Sequence, residues 1–373
     1  MSEPIGIAIC GAGLFAKQAH LPALKALPPN TGILKAIYSR STKSSSSLAE
    51  FASSELGTPV EVYSEEQGGD KGLDALLART DIQAVIVVMP INSQPAMVLK
   101  CLAAGKHVLS EKPIAQTVQH AQAAIASYKE QFESKGLFWR IAENFEVEPA
   151  YLYARDVLAS GKIGNVSHWR LTMTDSIKVE TSLYAQTKWR ATPEYQGGFL
   201  LDGGVHSVAL LRTILPTKMT SLSAFASLSN PVLPPHDTIH AVVTCAPQSS
   251  SSTPAHGIFD MTFGAPDTNR IDPSVTGAYV LVTGTSGWLG IHKTTMEGGV
   301  RGMRVDVHVK GSDKPEIFES RVQGVEREVE NFLKLVKSSG KEDVGGGLLE
   351  GALSDVSFIE SALTSDGKPL NLL

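Results

Sequence analysis

The amino-terminal stretch Ile5-Gly6-Ile7-Ala8-Ile9-Cys10-Gly11-Ala12-Gly13-Leu14-Phe15-Ala16 decides the fold. Ile5 to Cys10 is apolar on both faces and too short for a helix, so it reads as a strand buried inside a parallel sheet. After the turn, Phe15, Ala19, Leu21, Leu24 and Leu27 recur at roughly helical spacing. The order strand, glycine turn, helix gives G-x-G-x-x-A a physical meaning. Gly11 permits the tight turn, Gly13 lets a pyrophosphate approach the backbone, and Ala16 is small enough for helix to pack on strand. The amides opening the helix then face the phosphates, where the helix dipole favours an anion. Gly11, Ala12, Gly13, Leu14, Phe15 and Ala16 are therefore the first candidate dinucleotide-binding residues.

At 373 residues the chain is long for one core, and two domains are expected. Its formal charge of −5 is near balance, and no basic stripe interleaves with aromatics, which argues against a nucleic-acid partner. No apolar run approaches ~18 residues, so no membrane span is expected. Met1-Ser2-Glu3-Pro4 leads straight into the first strand and leaves no room for a signal peptide. Cys10, Cys101 and Cys245 are scattered and apolar in context, with neither disulfide nor zinc spacing. They read as reduced core residues of a cytoplasmic protein.

A second strand, Ile33 to Tyr38, ends in Ser39-Arg40-Ser41-Thr42-Lys43. This end lies beside the adenosine ribose, where an NAD site usually places an Asp or Glu on the 2′-hydroxyl. Hydroxyls and two cations stand here instead, the surroundings a 2′-phosphate wants. Ser39, Arg40 and Lys43 thus point to NADP(H) in preference to NAD(H), the plainer alternative being that they begin a solvated helix. Helix Leu73 to Arg79 precedes the strand Ala84 to Val88, which runs into Met89-Pro90-Ile91-Asn92-Ser93-Gln94 and a helix from Pro95 to Ala104. His107-Val108-Leu109 begins another strand, followed by Ser110-Glu111-Lys112-Pro113. A helix from Thr117 to Ser134 leads to the strand Leu137 to Ala142 and then Glu143-Asn144. Strand and helix alternate, so residues 1–145 form an α/β domain with a doubly wound parallel sheet. Ligands of such sheets sit at the carboxyl ends of the strands. That adds Met89, Pro90, Asn92, Gln94, Glu111, Lys112 and Asn144 to the cofactor candidates.

Gly105-Lys106-His107-Val108 followed by Glu111-Lys112-Pro113 resembles the glucose–fructose oxidoreductase / inositol dehydrogenase (GFO/IDH/MocA) family, and the resemblance covers nearly the whole chain. It implies an amino-terminal Rossmann domain and a carboxyl-terminal α+β domain whose open sheet often mediates oligomerisation. It implies as well that Lys112 contacts substrate and nicotinamide, and that the bond before Pro113 is cis. Ile91 and Gln94 stand where many members have Asn and His, and Ala209 where many have Asp, so the resemblance does not fix which substrate is taken. The chain is particularly similar to fungal NADP(H)-dependent members, which share the Gly-x-Phe-Ala turn, Ala-Glu-Asn and Gly-Gly-Phe-Leu-x-Asp-Gly-Gly-Val-His.

From Glu146 the pattern changes to helix Ala150 to Ala159 and then mostly adjacent strands: Val166 to Thr174, Ser221 to Ala226, Thr238 to Cys245, Gly257 to Phe263, Tyr279 to Thr283 and Met303 to Val309. Residues 146–373 thus read as an α+β domain with an open, mostly antiparallel sheet. Ser249 to Ser252 is a surface loop. An apolar-faced helix (Val325, Val329, Phe332, Leu333, Val336) and a last helix, Leu348 to Leu363, follow, and the final helices are free to pack back on the body. His236-Asp237-x-x-His240 would hold a metal on a helix, but its apolar sequel reads as a strand, so no metal is expected.

Lys188-Trp189-Arg190 and Gly197-Gly198-Phe199-Leu200-Leu201-Asp202-Gly203-Gly204-Val205-His206 carry the chemistry. Asp202 and His206 are four apart at the opening of a helix and share a face. A carboxylate near an imidazole orients the ring for proton transfer near neutral pH. The two glycines between them suggest close backbone approach to a ligand. The catalytic candidates are Lys112, His206 and Asp202. Family counterparts of Trp189 and Arg190 wall the nicotinamide and touch the cofactor, and Arg190 alternatively binds an acidic substrate. The expected protein is an NADP(H)-dependent oxidoreductase of a small hydroxyl or carbonyl substrate (a sugar, polyol or aldehyde), assembled as a homodimer or larger homo-oligomer. Its rivals are a non-catalytic NADP(H) sensor and a glycosidase using bound NAD as a transient oxidant.

Overall fold

The computed structural model describes residues 3–178, 180–195, 197–250, 252–266 and 279–373. Met1, Ser2 and Ser251, which entered the reading of the amino terminus and of the 249–252 loop, lie outside the described residues. The chain forms two compact units, Met1–Asn144 with Val325–Leu353, and Phe145–Gly324 with Ser354–Leu373. Among the described residues no helix is long and apolar enough to cross a membrane.

In the first unit β1 (Ile5–Cys10), β2 (Gly32–Ser39), β3 (Glu61–Ser64), β4 (Ala84–Val87), β5 (His107–Glu111) and β6 (Trp139–Ala142) form a parallel sheet in the order β3-β2-β1-β4-β5-β6. This is the doubly wound Rossmann order, with its reversal between β1 and β4. Ile7, Ala8, Ile9 and Cys10 are fully buried, as expected of a central strand covered on both faces. The edge strand β3 was not legible, because Glu61-Val62-Tyr63-Ser64 is four residues long and carries a charge. Val329, Phe332, Leu333 and Val336 join Ile7, Leu34 and Leu48 in this unit's core. The apolar face of the helix Gly324–Lys337 therefore folds residues 325–353 with the first unit, and the remainder of 146–373 forms the second.

The second unit is built on β7 (Val166–Thr174), β8 (Met219–Ser227), β9 (Thr238–Cys245), β10 (His256–Thr262), β11 (Val280–Gly284), β12 (Gly287–Thr295), β13 (Arg301–Val309), β14 (Glu316–Arg321) and β15 (Leu370–Asn371). They lie in the order β14-β13-β12-β11-β7-β10-β9-β8-β15, and every pair is antiparallel except β7 with β10. Sequence reading missed β12, which has glycine at two positions, and the short outer strands β14 and β15. Trp169, Phe259, Val282 and Leu289 are buried on one face of the sheet, where Phe259 meets Phe358 of the helix Leu349–Thr364 at 4.9 Å between ring centroids. Cross-strand register puts Phe225, Val242, Ile258, Trp288 and Ile317 together on the other face, all exposed. The strand β9 begins just after Asp237, whose carboxylate accepts the amides of Ser229 and Asn230 at 2.9 and 2.6 Å.

The helix Gly198–Ile214 carries both Asp202 and His206 and is anchored through Arg212. The Arg212 guanidinium donates to Asp355 at 2.9 and 2.8 Å and to Glu146 at 2.5 Å. Burial alone would weaken that cation, but the two carboxylates outweigh it and hold its pKa well above the ordinary value. Arg212→Met removes the cation from two buried acids, a class of change that costs about 3–5 kcal/mol. Chemical denaturation should show a loss of that size; a change under about 1 kcal/mol would place the helix anchor elsewhere.

Candidate active site

Parallel strands bring their carboxyl ends to one edge of the sheet, so the residues that end or follow β2, β1, β4, β5 and β6 stand there in spatial order. These are Ser39-Arg40, the glycine turn, Val88-Met89-Pro90, Glu111-Lys112 and Glu143-Asn144. At Gly11, φ is +123° and a Cβ would lie 2.0 Å from the Val88 carbonyl oxygen, so no other residue fits. Gly13 is different: its φ is unremarkable and a Cβ would meet nothing within 4 Å. The space beside its backbone is what an approaching pyrophosphate requires. Ala16 is fully buried and opens a π-type turn, Ala16–His20, that continues into the helix Leu21–Lys25. These features fit a dinucleotide.

At the ribose end, the Ser39 hydroxyl donates to the Ser41 carbonyl at 2.7 Å, and Ser41 caps the helix Thr42–Leu56 through the Ser44 amide. The Thr42 amide donates to Glu66 at 2.8 Å. Arg40 and Lys43 are both exposed. Two exposed cations thus stand at the carboxyl end of β2.

The Lys112–Pro113 bond is cis, and Lys112 is half-buried. Gln94, the second residue of the fourth-strand loop to differ from many family members, is 1 % exposed. Its amide nitrogen donates to the carbonyls of Glu111 and Pro113 at 3.0 and 3.2 Å. Asn92 is exposed, while Met89, Pro90 and Asn144 are half-buried.

In the second unit Asp202 accepts from Arg190 Nε at 2.7 Å, and the guanidinium lies 3.9 Å from the Trp189 ring centroid and 5.4 Å from that of Tyr184. Asp202 thus has a strong cationic partner that its spacing to His206 did not reveal. The His206 ring stacks on Phe145 at 4.8 Å between centroids. At Gly203 and Gly204 the missing side chains make room for the protein itself. A Cβ on Gly203 would lie 2.6 Å from the Phe263 ring, and one on Gly204 2.7 Å from the Met261 methyl. Both glycines let the helix lie directly on the sheet. Tyr195 and Phe145 escaped the sequence reading, because neither belongs to a motif. The Tyr195 hydroxyl is buried with no hydrogen-bond partner among the described residues, and burial together with the Asp202 charge pushes its pKa well up.

Residues 5–133 match an oxidoreductase family with an NAD-binding Rossmann fold, and residues 151–290 match the GFO/IDH/MocA carboxyl-terminal domain. The chain is 35% identical over 366 residues to dehydrogenase FPY6 of Fusarium mangiferae, with 97% of this chain and 96% of the relative covered. It is 29% identical to a dTDP-3,4-didehydro-2,6-dideoxy-alpha-D-glucose 3-reductase of Streptomyces violaceoruber, over 63% of this chain and 59% of that protein. An oxidoreductase structure from Thermotoga maritima superposes with a TM-score of 0.78 at 25% identity, covering 99% and 98% of the two chains. A 3-ketoreductase from Actinomadura kijaniata, solved with NADP and TDP-benzene, shares the fold with a TM-score of 0.68 at 22% identity, covering 96% and 97%. With both domains matched and the glycine turn and Glu-Lys-Pro turn on one sheet edge, the chain belongs to the GFO/IDH/MocA family and is an oxidoreductase with an NAD(P)-binding Rossmann fold.

Proposed function

We propose that this oxidoreductase uses NADP(H) in preference to NAD(H) and acts on a small hydroxyl or carbonyl compound, a sugar, polyol or aldehyde. The observation that carries the reading is the row along one sheet edge: Arg40 after β2, the open backbone at Gly13 after β1, and Lys112 after β5. It matches, in order, the ribose phosphate, the pyrophosphate and the nicotinamide of one extended ligand. The sugar-directed relatives support the substrate class. When bound, the cofactor supplies or accepts the hydride.

The protein's own part is positioning and proton transfer. Lys112 polarises the substrate oxygen, His206 gives or takes its proton, and Asp202, held by Arg190, orients the imidazole. The stacked Phe145 restricts the ring's tilt. Acid–base help of this kind is typically worth about 10²–10⁴ in rate. Trp189 and Arg190 serve the nicotinamide end. A cytoplasmic setting suits the three buried free cysteines.

Arg40→Ala should weaken NADPH far more than NADH, because only NADPH has a phosphate to lose its partner. Titration of both ligands checks this, and an equal loss would show that Arg40 does not read the 2′-phosphate.

Lys112→Met and His206→Asn should each lower kcat by about 10²-fold or more on a substrate drawn from a panel of sugars, polyols and aldehydes. The double mutant should lose less than the product of the two, since both residues serve one oxygen. Near-full turnover in either folded variant would remove that residue from the proton-transfer set. Single-turnover absorbance at the nicotinamide band separates the rivals: no change marks a sensor, a transient change a glycosidase.

The exposed sheet face, with Phe225 at 62%, Val242 at 59% and Ile258 at 51%, is a large apolar surface for a lone chain. A second copy of the chain covers it in this reading. Light scattering should therefore give a homodimer or larger assembly, and a 39.7 kDa species across working concentrations would rule that out.

A further inference from the structure

Three buried side chains converge on the turn that carries Lys112, and the proposed chemistry uses none of them as an acid or base. Ala16, His20 and Leu24 are four apart and all buried, so His20 is a polar residue on the apolar face of the first helix. Its ring meets Phe15 of the glycine turn edge-on at 5.4 Å between centroids. Its Nε2 lies 2.7 Å from Glu111 Oε1, with both side chains buried. A carboxylate only accepts, so Nε2 is the donor in this hydrogen bond. From the other side Gln94 donates to the Glu111 and Pro113 carbonyls, which bracket Lys112.

We propose that His20, Glu111 and Gln94 are positioning residues that tie the glycine turn to the Glu-Lys-Pro turn and thereby fix Lys112 for the nicotinamide end of the dinucleotide. The proposal rests on the reading of Lys112 as the residue facing nicotinamide and substrate. The chain of contact is continuous: Phe15 on the His20 ring, His20 on the Glu111 carboxylate, Glu111 in the residue before Lys112. Gln94 removes the remaining freedom, because one amide group holds the backbone on both flanks of the lysine. Within the buried interior such hydrogen bonds are poorly replaced by water. Among the described residues His20 Nδ1 and Gln94 Oε1 have no hydrogen-bond partner. Both side chains thus give a donor to this turn.

The experiment compares two probes, NADPH and 2′-phospho-ADP-ribose, which is the same ligand without the nicotinamide. Binding is titrated to wild type, His20→Leu, His20→Gln and Gln94→Met, with thermal melts to confirm folding. His20→Leu and Gln94→Met should lose roughly tenfold or more in NADPH affinity, while 2′-phospho-ADP-ribose stays within about twofold. His20→Gln, whose terminal amide can still donate to Glu111, should recover most of the loss. Should His20→Leu fail to fold, Gln94→Met, which leaves the carboxylate its partner, decides alone. Equal losses for both probes, or no loss for either, would overturn the proposal. A wild type that binds neither probe would instead overturn the dinucleotide reading, and the proposal with it.

Discussion

At Gly11 the exit of β1 is pressed against the exit of β4, so closely that the Val88 carbonyl occupies the place of a side chain. The residue is left-handed and the Cys10 carbonyl beside it accepts the Val88 amide at 2.8 Å. This contact fixes the direction in which the chain leaves the sheet. It aims the following turn along the sheet edge and leaves the Gly13 backbone open. The first unit's cofactor candidates follow from that edge, because parallel strands deliver their carboxyl ends to one side.

The second recurrent device is the buried ion or hydrogen-bonded pair that holds a neighbour in place. Arg190 on Asp202, Arg212 on Glu146 and Asp355, and His20 on Glu111 each join segments distant in sequence. Such pairs add little net stability compared with apolar packing, but removing one partner is expensive. They therefore specify geometry more than they strengthen the fold. In the second unit two of them act on the single helix Gly198–Ile214, whose Asp202 and His206 are the proposed proton-transfer residues.

That helix also shows packing overriding propensity. Two consecutive glycines inside a helix weaken it intrinsically. Here they bring its backbone onto Met261 of β10 and Phe263 just beyond that strand, and the close contact compensates for the local weakness. The family motif that looked like a ligand contact is, at these two positions, an interior packing surface.

By itself the sequence determined the parallel sheet, the glycine turn, the Glu-Lys-Pro turn and most strands of the second unit. Each rests on a local pattern: an apolar run, a turn residue, an alternation of period two. Even Gly11 was legible, since a tight turn after a buried strand has few other solutions. Only the tertiary structure decided the partner of Asp202, what packs against Gly203 and Gly204, and the buried hydrogen bonds of His20 and Gln94. It also placed the helix Gly324–Lys337 in the core of the first unit. The reason is physical. An apolar face announces that it will be buried but not against what, and a polar residue on such a face announces a partner without naming it. Arg190 and Asp202 are 12 residues apart, and His20 and Glu111 91 apart, so no periodicity joins them. Those pairings exist only after the chain has folded.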